Sequence, residues 1–345
     1  MKDIKNHYIS DRKVLKDILP LNKPLCISIE PTNLCNFKCV MCFHGNNEYA
    51  EEAKPLRNMN MECFYKILND IKNWNGKEKI KLIKLYSLGE PLLHPNICEM
   101  VKAIKEADIC EMIEITTNAS LLSEKISKKL VEYGLDVLRI SVYGADDEHM
   151  TEITKSSFKP ADIIQKVDFL KKYRNEIGSN KPVIIAKMLN TYSDENDKFI
   201  SLYSDVADEI GIDEPFHLPN CENDIFENLY HEQAEQAFEK SMSTNIYRSK
   251  KACRYPFTHL TIRNDGTCIV CCADWLKELR FGNVMEHSLQ ELWESKSLYN
   301  IRSKMLKNKG ACFKACAECE IPFRDSIEDN IDELDIEKFK YNNEI

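Results

Sequence analysis

The chain has no apolar stretch long enough to cross a bilayer. Its apolar runs are short and broken by Lys or Glu, as in 79–85, whereas a spanning helix needs about 20 such residues. It does not open on a secretory signal either, because Met1 to Tyr8 is polar and charged with no apolar core. Glycine is sparse, at 10 of 345 residues, and proline accounts for 12. Collagen-like and low-complexity chains are thereby excluded, and a hydrophobic content of 43% excludes a wholly disordered one. Positive charge is short as well. With 47 Lys and Arg against 56 Asp and Glu, the formal net charge is −9 and the pI ≈ 5.5, so no global field attracts a phosphate backbone. A cytoplasmic protein without nucleic-acid or membrane partners is expected.

Cysteine, by contrast, is abundant: 15 residues. In a reducing cytosol these are not a disulfide framework, so metal or cluster ligation becomes the main question. Ten of them form two groups, with Cys221 in the cysteine-poor stretch between. The first is Cys35-x3-Cys39-x2-Cys42; the second runs from Cys253 through Cys268, Cys271 and Cys272 to Cys312-x3-Cys316-x2-Cys319. Cys26, Cys63, Cys98 and Cys110 stand singly in apolar periodic segments and read as small buried hydrophobes.

Between the two groups the hydrophobic period alternates. Strands are expected at 25–30, 80–87, 112–117, 137–143, 183–189 and 210–218, and amphipathic helices at 61–74, 97–107, 123–133, 160–173 and 194–207. Six strand-helix alternations predict an all-parallel sheet, closed or nearly closed into a barrel. Such a sheet works at the carboxyl ends of its strands. The cysteine triplet falls there, and the next three strands run into Gly89-Glu90, Thr117-Asn118 and Ser141-Val142-Tyr143-Gly144.

Three thiolates on one short loop can reach three corners of an iron-sulfur cubane and leave one iron open to a ligand. Zinc is the competing reading, with His44 as a fourth ligand. The second group is open in the same way, since Cys253 and Cys271 with Cys316 and Cys319 would suit either four-coordinate zinc or a complete [4Fe-4S] cluster.

The series Glu30-Pro31-Thr32-Asn33-Leu34-Cys35, Cys39, Cys42, Gly89-Glu90, Thr117-Asn118 and Ile140 to Gly144 resembles the radical S-adenosylmethionine superfamily across about 25–220. The resemblance implies an α/β fold, a partial (β/α)6 TIM-like barrel. Its [4Fe-4S] cluster would be held by Cys35, Cys39 and Cys42 and would bind S-adenosylmethionine through the open iron. One electron then yields methionine and a 5′-deoxyadenosyl radical, which abstracts hydrogen from substrate. Gly89 and Glu90 match the family's Gly-Gly-Glu motif with Leu88 in place of the first glycine, and Asn118 and Ser141 are implied contacts to the cofactor. Met41 stands where the family often has an aromatic residue, and Lys155 is a candidate for a basic residue after the fourth strand.

Residues 250–322, with Cys253-x12-Gly266-x4-Cys271 and the terminal cysteine group, resemble the SPASM/twitch extension of that superfamily. No Cys follows Cys319, so the shorter twitch form with one auxiliary [4Fe-4S] cluster is implied, on Cys253, Cys271, Cys316 and Cys319. Cys268, Cys272 and Cys312 are left over; Cys312 is a possible substitute ligand and Cys272 a possible substrate-side thiol. Four protein ligands leave no open iron, which suits electron transfer. Asp274 is the candidate base. The expected organisation is an N-terminal helical segment at 1–20, the core barrel at 21–220, a linker helix at 221–250, the small iron-sulfur domain at 251–322 and an acidic tail, frayed or peripheral, at 323–345.

The resulting expectation is an oxidoreductase acting on a small molecule, a sugar or cyclitol alcohol, with a flavodoxin or ferredoxin as electron donor. A maturase of ribosomal peptides is the second reading and a non-enzymatic zinc module the third.

Overall fold

Each of the six apolar runs becomes a strand, and a helix follows each of the first five. The computed structural model describes residues 13–45, 51, 53–214, 239, 252–308, 310, 312–317, 319, 321–324 and 326–345. The strands are β1 (Cys26–Ile29), β2 (Ile80–Lys84), β3 (Cys110–Thr117), β4 (Val137–Val142), β5 (Val183–Leu189) and β6 (Glu209–Asp213). After the one-turn helix α1 (Leu15–Ile18), the crossovers carry α2 (Met61–Asn73), α3 (Ile97–Ala107), α4 (Glu124–Glu132), α5 (Asp147–Thr154), α6 (Pro160–Glu176) and α7 (Glu195–Tyr203).

Helix starts follow local chemistry. The side chains of Asn60, Ser123 and Asp146 accept from the amides of Cys63, Ile126 and His149, which satisfies donors the helix itself leaves open. Helix α4 ends at Gly134, whose φ of +78° lets the Leu135 amide turn back onto the Leu130 carbonyl at 3.0 Å. One face of the sheet is buried beneath these helices: Ile27, Ile29, Ile83, Ile113, Ile140 and Ile184 have no accessible surface. Each contributes about 1.5–3 kcal/mol through burial.

The six strands are parallel in the order expected of consecutive crossovers, but the sheet does not close on itself among the described residues. The free side of β1 pairs with β7 (His259–Ile262), also parallel, with Cys26 opposite His259 and Ile29 opposite Ile262. The antiparallel strands β8 (Thr267–Ile269) and β9 (Arg280–Asn283) then extend one nine-stranded sheet. The small C-terminal unit is therefore a continuation of the barrel sheet.

One expectation changes, and two fall largely outside the described residues. Of the segment 1–20, residues 1–12 lie outside the described residues, and only α1 is helical in the rest. The linker helix at 221–250 also lies outside the described residues, apart from position 239. The acidic tail is packed where it is described: Ile331, Ile336 and Phe339 are buried, and Phe339 meets Phe257 edge-on at 5.2 Å. Three apolar residues spaced along the acidic run anchor it. Of the single cysteines, Cys26, Cys63 and Cys98 are buried, as expected, and Cys110 is half-buried.

Candidate active site

The loop after β1 is held by backbone contacts before any cofactor is considered. Asn33 donates to the Ala53 carbonyl at 2.8 Å and accepts from the Arg57 amide at 2.7 Å. The amides of Lys38 and Val40 donate to the Thr154 and Ile153 carbonyls at the end of α5, at 3.1 and 2.9 Å. Two successive tight turns follow, Cys42 amide to Cys39 carbonyl at 2.9 Å and Gly45 amide to Cys42 carbonyl at 2.8 Å. A Cβ at Gly45 would stand 2.5 Å from the Cys39 carbonyl oxygen, so the second turn needs glycine.

These turns gather the triplet. Burial pushes the Cys35 thiol up to about 12 and raises Cys39 and Cys42 as well; Cys39 also feels Cys42 and Cys35. Desolvated thiols in one another's field become stable thiolates only beside a cation, which is the chemistry of a cluster ligand set. No group of three or more His, Cys, Asp and Glu among the described residues is placed to hold one metal ion. A cubane makes no such demand, because each cysteine binds a different corner. His44, the candidate fourth zinc ligand, is hydrogen-bonded with the backbone of Leu88.

Gly89 and Glu90 lie where the second strand's loop crosses this one. A Cβ on Gly89 would be 2.2 Å from the Thr32 carbonyl oxygen and 2.7 Å from that of Leu34. The missing side chain thus serves the packing of two loops, a role different from the close approach to cofactor that the motif suggested. Glu90 is buried and accepts from the Thr117 hydroxyl at 2.6 Å, the Leu92 amide at 3.0 Å and the Asn118 amide at 2.8 Å. Three donors leave room for one more, and burial lifts the carboxyl from the usual 4.5 to about 6 despite them. A carboxylate held ionised under that strain is suited to a cationic ligand.

The raised value carries a pH signature. Glu90 supports the fold most below 4.5, and that support is lost as pH rises through about 6. Glu90→Gln in the cluster-free protein should gain about 2 kcal/mol on the parent between roughly pH 4 and pH 7.5, read from urea midpoints. A difference that stays flat across that interval would show that Glu90 does not titrate there.

Asn118 donates to Asn36 at 3.1 Å and accepts from the Ser120 hydroxyl at 2.6 Å, while Asn36 donates to Ser120 at 2.8 Å. The β3 loop thus grips the residue next to Cys35. Asn36 and Ser120 were not singled out from sequence, since nothing marks a short polar side chain as a staple until its partner is known. Ser141 lies half-buried on β4, hydrogen-bonded with the Tyr143 phenol. Tyr143 is a further addition: burial raises its phenol well above its usual value, and it lies in the field of Cys39, Cys42 and Cys35. Met41 packs beside Val40 and Tyr143. Lys155 is the exposed left-handed cap of α5 and has no place in the site.

The second cysteine group forms a cavity of about 370 Å³ lined by Cys253, Cys271, Cys316 and Cys319 together. The three leftover cysteines do not line it, although the Cys272 side chain is hydrogen-bonded with that of Cys271. Cys268 is in the core, while Cys272 and Cys312 are exposed and do not line the cavity. Asp274 lines it, but as a turn cap: its two oxygens accept from the Glu278 and Leu279 amides at 2.9 and 2.7 Å. The base role expected of it is not supported by that placement. Next to it, Trp275 stacks obliquely on Phe43 at 5.7 Å, joining this loop to the one that ends at Cys42. The core and the C-terminal unit also share a buried ion pair, Arg263 Nε to Glu30 Oε2 at 2.9 Å.

The face of the sheet turned away from the helices was missed from sequence. Alternation places Lys84 of β2, Glu114 of β3, Arg139 of β4 and Lys187 of β5 on it. The signal was present: each is a charge within an apolar run of a strand that should be covered on both faces.

The chain matches the radical SAM superfamily over residues 29–194 and an iron-sulfur cluster-binding domain, SPASM, over 253–320. It belongs to the radical S-adenosylmethionine superfamily, with a C-terminal SPASM domain, and is a radical SAM enzyme whose cofactors are [4Fe-4S] clusters and S-adenosylmethionine. It is similar to the tungsten-containing aldehyde ferredoxin oxidoreductase cofactor-modifying protein of Pyrococcus furiosus, 25% identical over 324 residues, which cover 85% of this chain and 86% of that one. It is also 28% identical over 180 residues to a GTP 3′,8-cyclase of Staphylococcus epidermidis, 52% of this chain and 51% of that one. Among solved structures, Streptococcus suis SuiB bound to S-adenosylmethionine superposes with a TM-score of 0.61 at 18% identity, over 95% of this chain and 78% of that one. BtrN in complex with AdoMet and 2-DOIA gives 0.52 at 15% identity, over 91% and 98%. Both show the fold. No helix among the described residues is long and apolar enough to cross a membrane.

Proposed function

We propose that this enzyme is an oxidoreductase that removes hydrogen from a small molecule, at a sugar or cyclitol alcohol carbon, with one auxiliary [4Fe-4S] cluster as electron acceptor. The observation that carries this reading is the single cavity lined by Cys253, Cys271, Cys316 and Cys319. Four protein ligands saturate a cluster, so it exchanges electrons and does not bind substrate through iron. When bound, the cofactors supply hydrogen abstraction at the triplet and an acceptor for one electron at the auxiliary site.

The chain's own residues do the rest. Cys35, Cys39 and Cys42 hold the first cluster in a loop fixed at both ends. Glu90 offers its remaining acceptor position to the ammonium of S-adenosylmethionine, and Asn118 with Ser141 lies along the neighbouring strand ends. BtrN, crystallised with AdoMet and 2-DOIA and matched over 98% of its length, supports a small substrate. SuiB, crystallised with the precursor peptide SuiA, keeps a peptide maturase as the second reading.

Cys316→Ala is expected to spare reductive cleavage of S-adenosylmethionine while converted substrate falls at least about tenfold, because only the second electron loses its acceptor. Equal loss of both would make the auxiliary site merely structural. Deuterated sugars, cyclitols and peptides offered to the anaerobic holoenzyme separate the two readings. Deuterium should reach 5′-deoxyadenosine from an alcohol carbon, and transfer from a peptide alone would overturn the small-molecule reading.

A further inference from the structure

The helix-free face of β2 to β5 holds four charges that do not cancel locally. Lys187 pairs with Asp213 of β6 at 2.8 Å, and Arg139 reaches Glu114 at 3.4 Å. Lys84 has no carboxylate within ion-pairing distance among the described residues; its ammonium lies over the Tyr86 ring at 5.7 Å. Its pKa is raised above the ordinary lysine value, with Tyr86 the largest cause, against the cost of burial. Glu114 has no accessible surface; Oε1 takes the Tyr86 hydroxyl at 2.6 Å, and Oε2 has no partner among the described residues. The Thr116 hydroxyl, on the same face and opposite Arg139, is likewise buried without a partner. A protein interior rarely leaves such groups unmet unless something else meets them.

The position of this face fits a substrate. Tyr143, one residue past the end of β4 and hydrogen-bonded with Ser141, lies in the field of the cysteine triplet. On the other side, Cys272, next to Cys271, lies in the field of Lys84 and Arg263. The charges thus stand between the two cysteine sites, where a molecule giving hydrogen to one and an electron to the other has to lie.

We propose that this face binds a small substrate through an anionic group, a carboxylate or a phosphate, held by Lys84 and Arg139, while a neighbouring hydroxyl or amino group of the substrate donates to Glu114 Oε2. The proposal rests on the small-molecule reading above and names the chemistry of that molecule. Two cations beside one carboxylate, which pairs with Arg139 and not with Lys84, give a net attraction for an anion, and the open carboxylate oxygen requires a donor beside it.

Calorimetric titration of the anaerobic holoenzyme at low salt with inorganic phosphate and with acetate tests the anion, and whichever binds tells phosphate from carboxylate. Lys84→Met should weaken that binding at least roughly tenfold, and Lys84→Arg should keep it within about threefold. Lys81→Met removes a charge from the same strand, at a side chain paired with Glu111 on the exterior, and should leave binding unchanged. O-phosphoethanolamine should bind roughly tenfold more tightly than phosphate, an advantage that Glu114→Gln removes. No binding of either anion, equal binding by Lys84→Met, or equal loss in Lys81→Met would overturn the proposal. Cleavage of S-adenosylmethionine measured on the same preparation reports separately on the function it rests on.

Discussion

Cys39→Ala is expected to reduce 5′-deoxyadenosine formation from S-adenosylmethionine to background and to halve the iron, from about eight to about four per chain. Cys39 is 5% exposed and lies in the field of both Cys35 and Cys42, so its loss leaves two thiols where a cubane needs three. The turns around it are made by backbone groups, and the loop should survive the change. Cys268→Ala is the matched control. That thiol is fully buried but lines neither site, so its removal should cost about 1 kcal/mol of stability and no iron. Retention of all the iron in Cys39→Ala, with cleavage intact, would sink the triplet assignment.

Arg263→Ala should destabilise the protein by about 3–5 kcal/mol, the usual cost of stranding one member of a buried ion pair. Arg263 and Glu30 are 2% and 0% exposed, and Glu30 also accepts from the Leu88 amide at 3.2 Å and the Asn264 amide at 3.1 Å. Three chain segments converge on that one carboxylate, so its desolvation is shared by the ends of β1 and β7 and the loop after β2. Replacing both partners, Glu30→Gln with Arg263→Met, should recover much of the loss, since no bare charge remains. The check is the urea midpoint of each variant. A single variant within about 1 kcal/mol of the parent would show that the pair does not hold the seam.

Much of the core was legible. Strands expected at 137–143 and 183–189 appear as Val137–Val142 and Val183–Leu189, and the helix expected at 97–107 is Ile97–Ala107. In these segments period, caps and turns agree. The second strand stops at Lys84, short of the expected 87, because Ser87 to Gly89 leave the sheet to pack on the cysteine loop. The pairing of β1 with His259–Ile262 was not legible, since four residues more than 200 positions away carry no local signal of their partner. For Asp274 the spacing from Cys271 was readable, but not that two amides a few residues on would occupy both its oxygens. Gly89 was expected to let the backbone approach the cofactor, but what its missing side chain makes room for in the structure is a carbonyl of the adjoining loop.

The flank of β1 has a consequence for how the polypeptide is made. Cys26–Ile29 leaves the ribosome more than 200 residues ahead of 259–262, yet one of its two hydrogen-bonding edges is completed only by those residues. Until those are synthesised, a short apolar strand presents bare amides and carbonyls of the kind that template pairing with another chain. The two cysteine units are therefore not detachable modules. Severing the chain between them would strip the nascent barrel of the strand that shields its first edge.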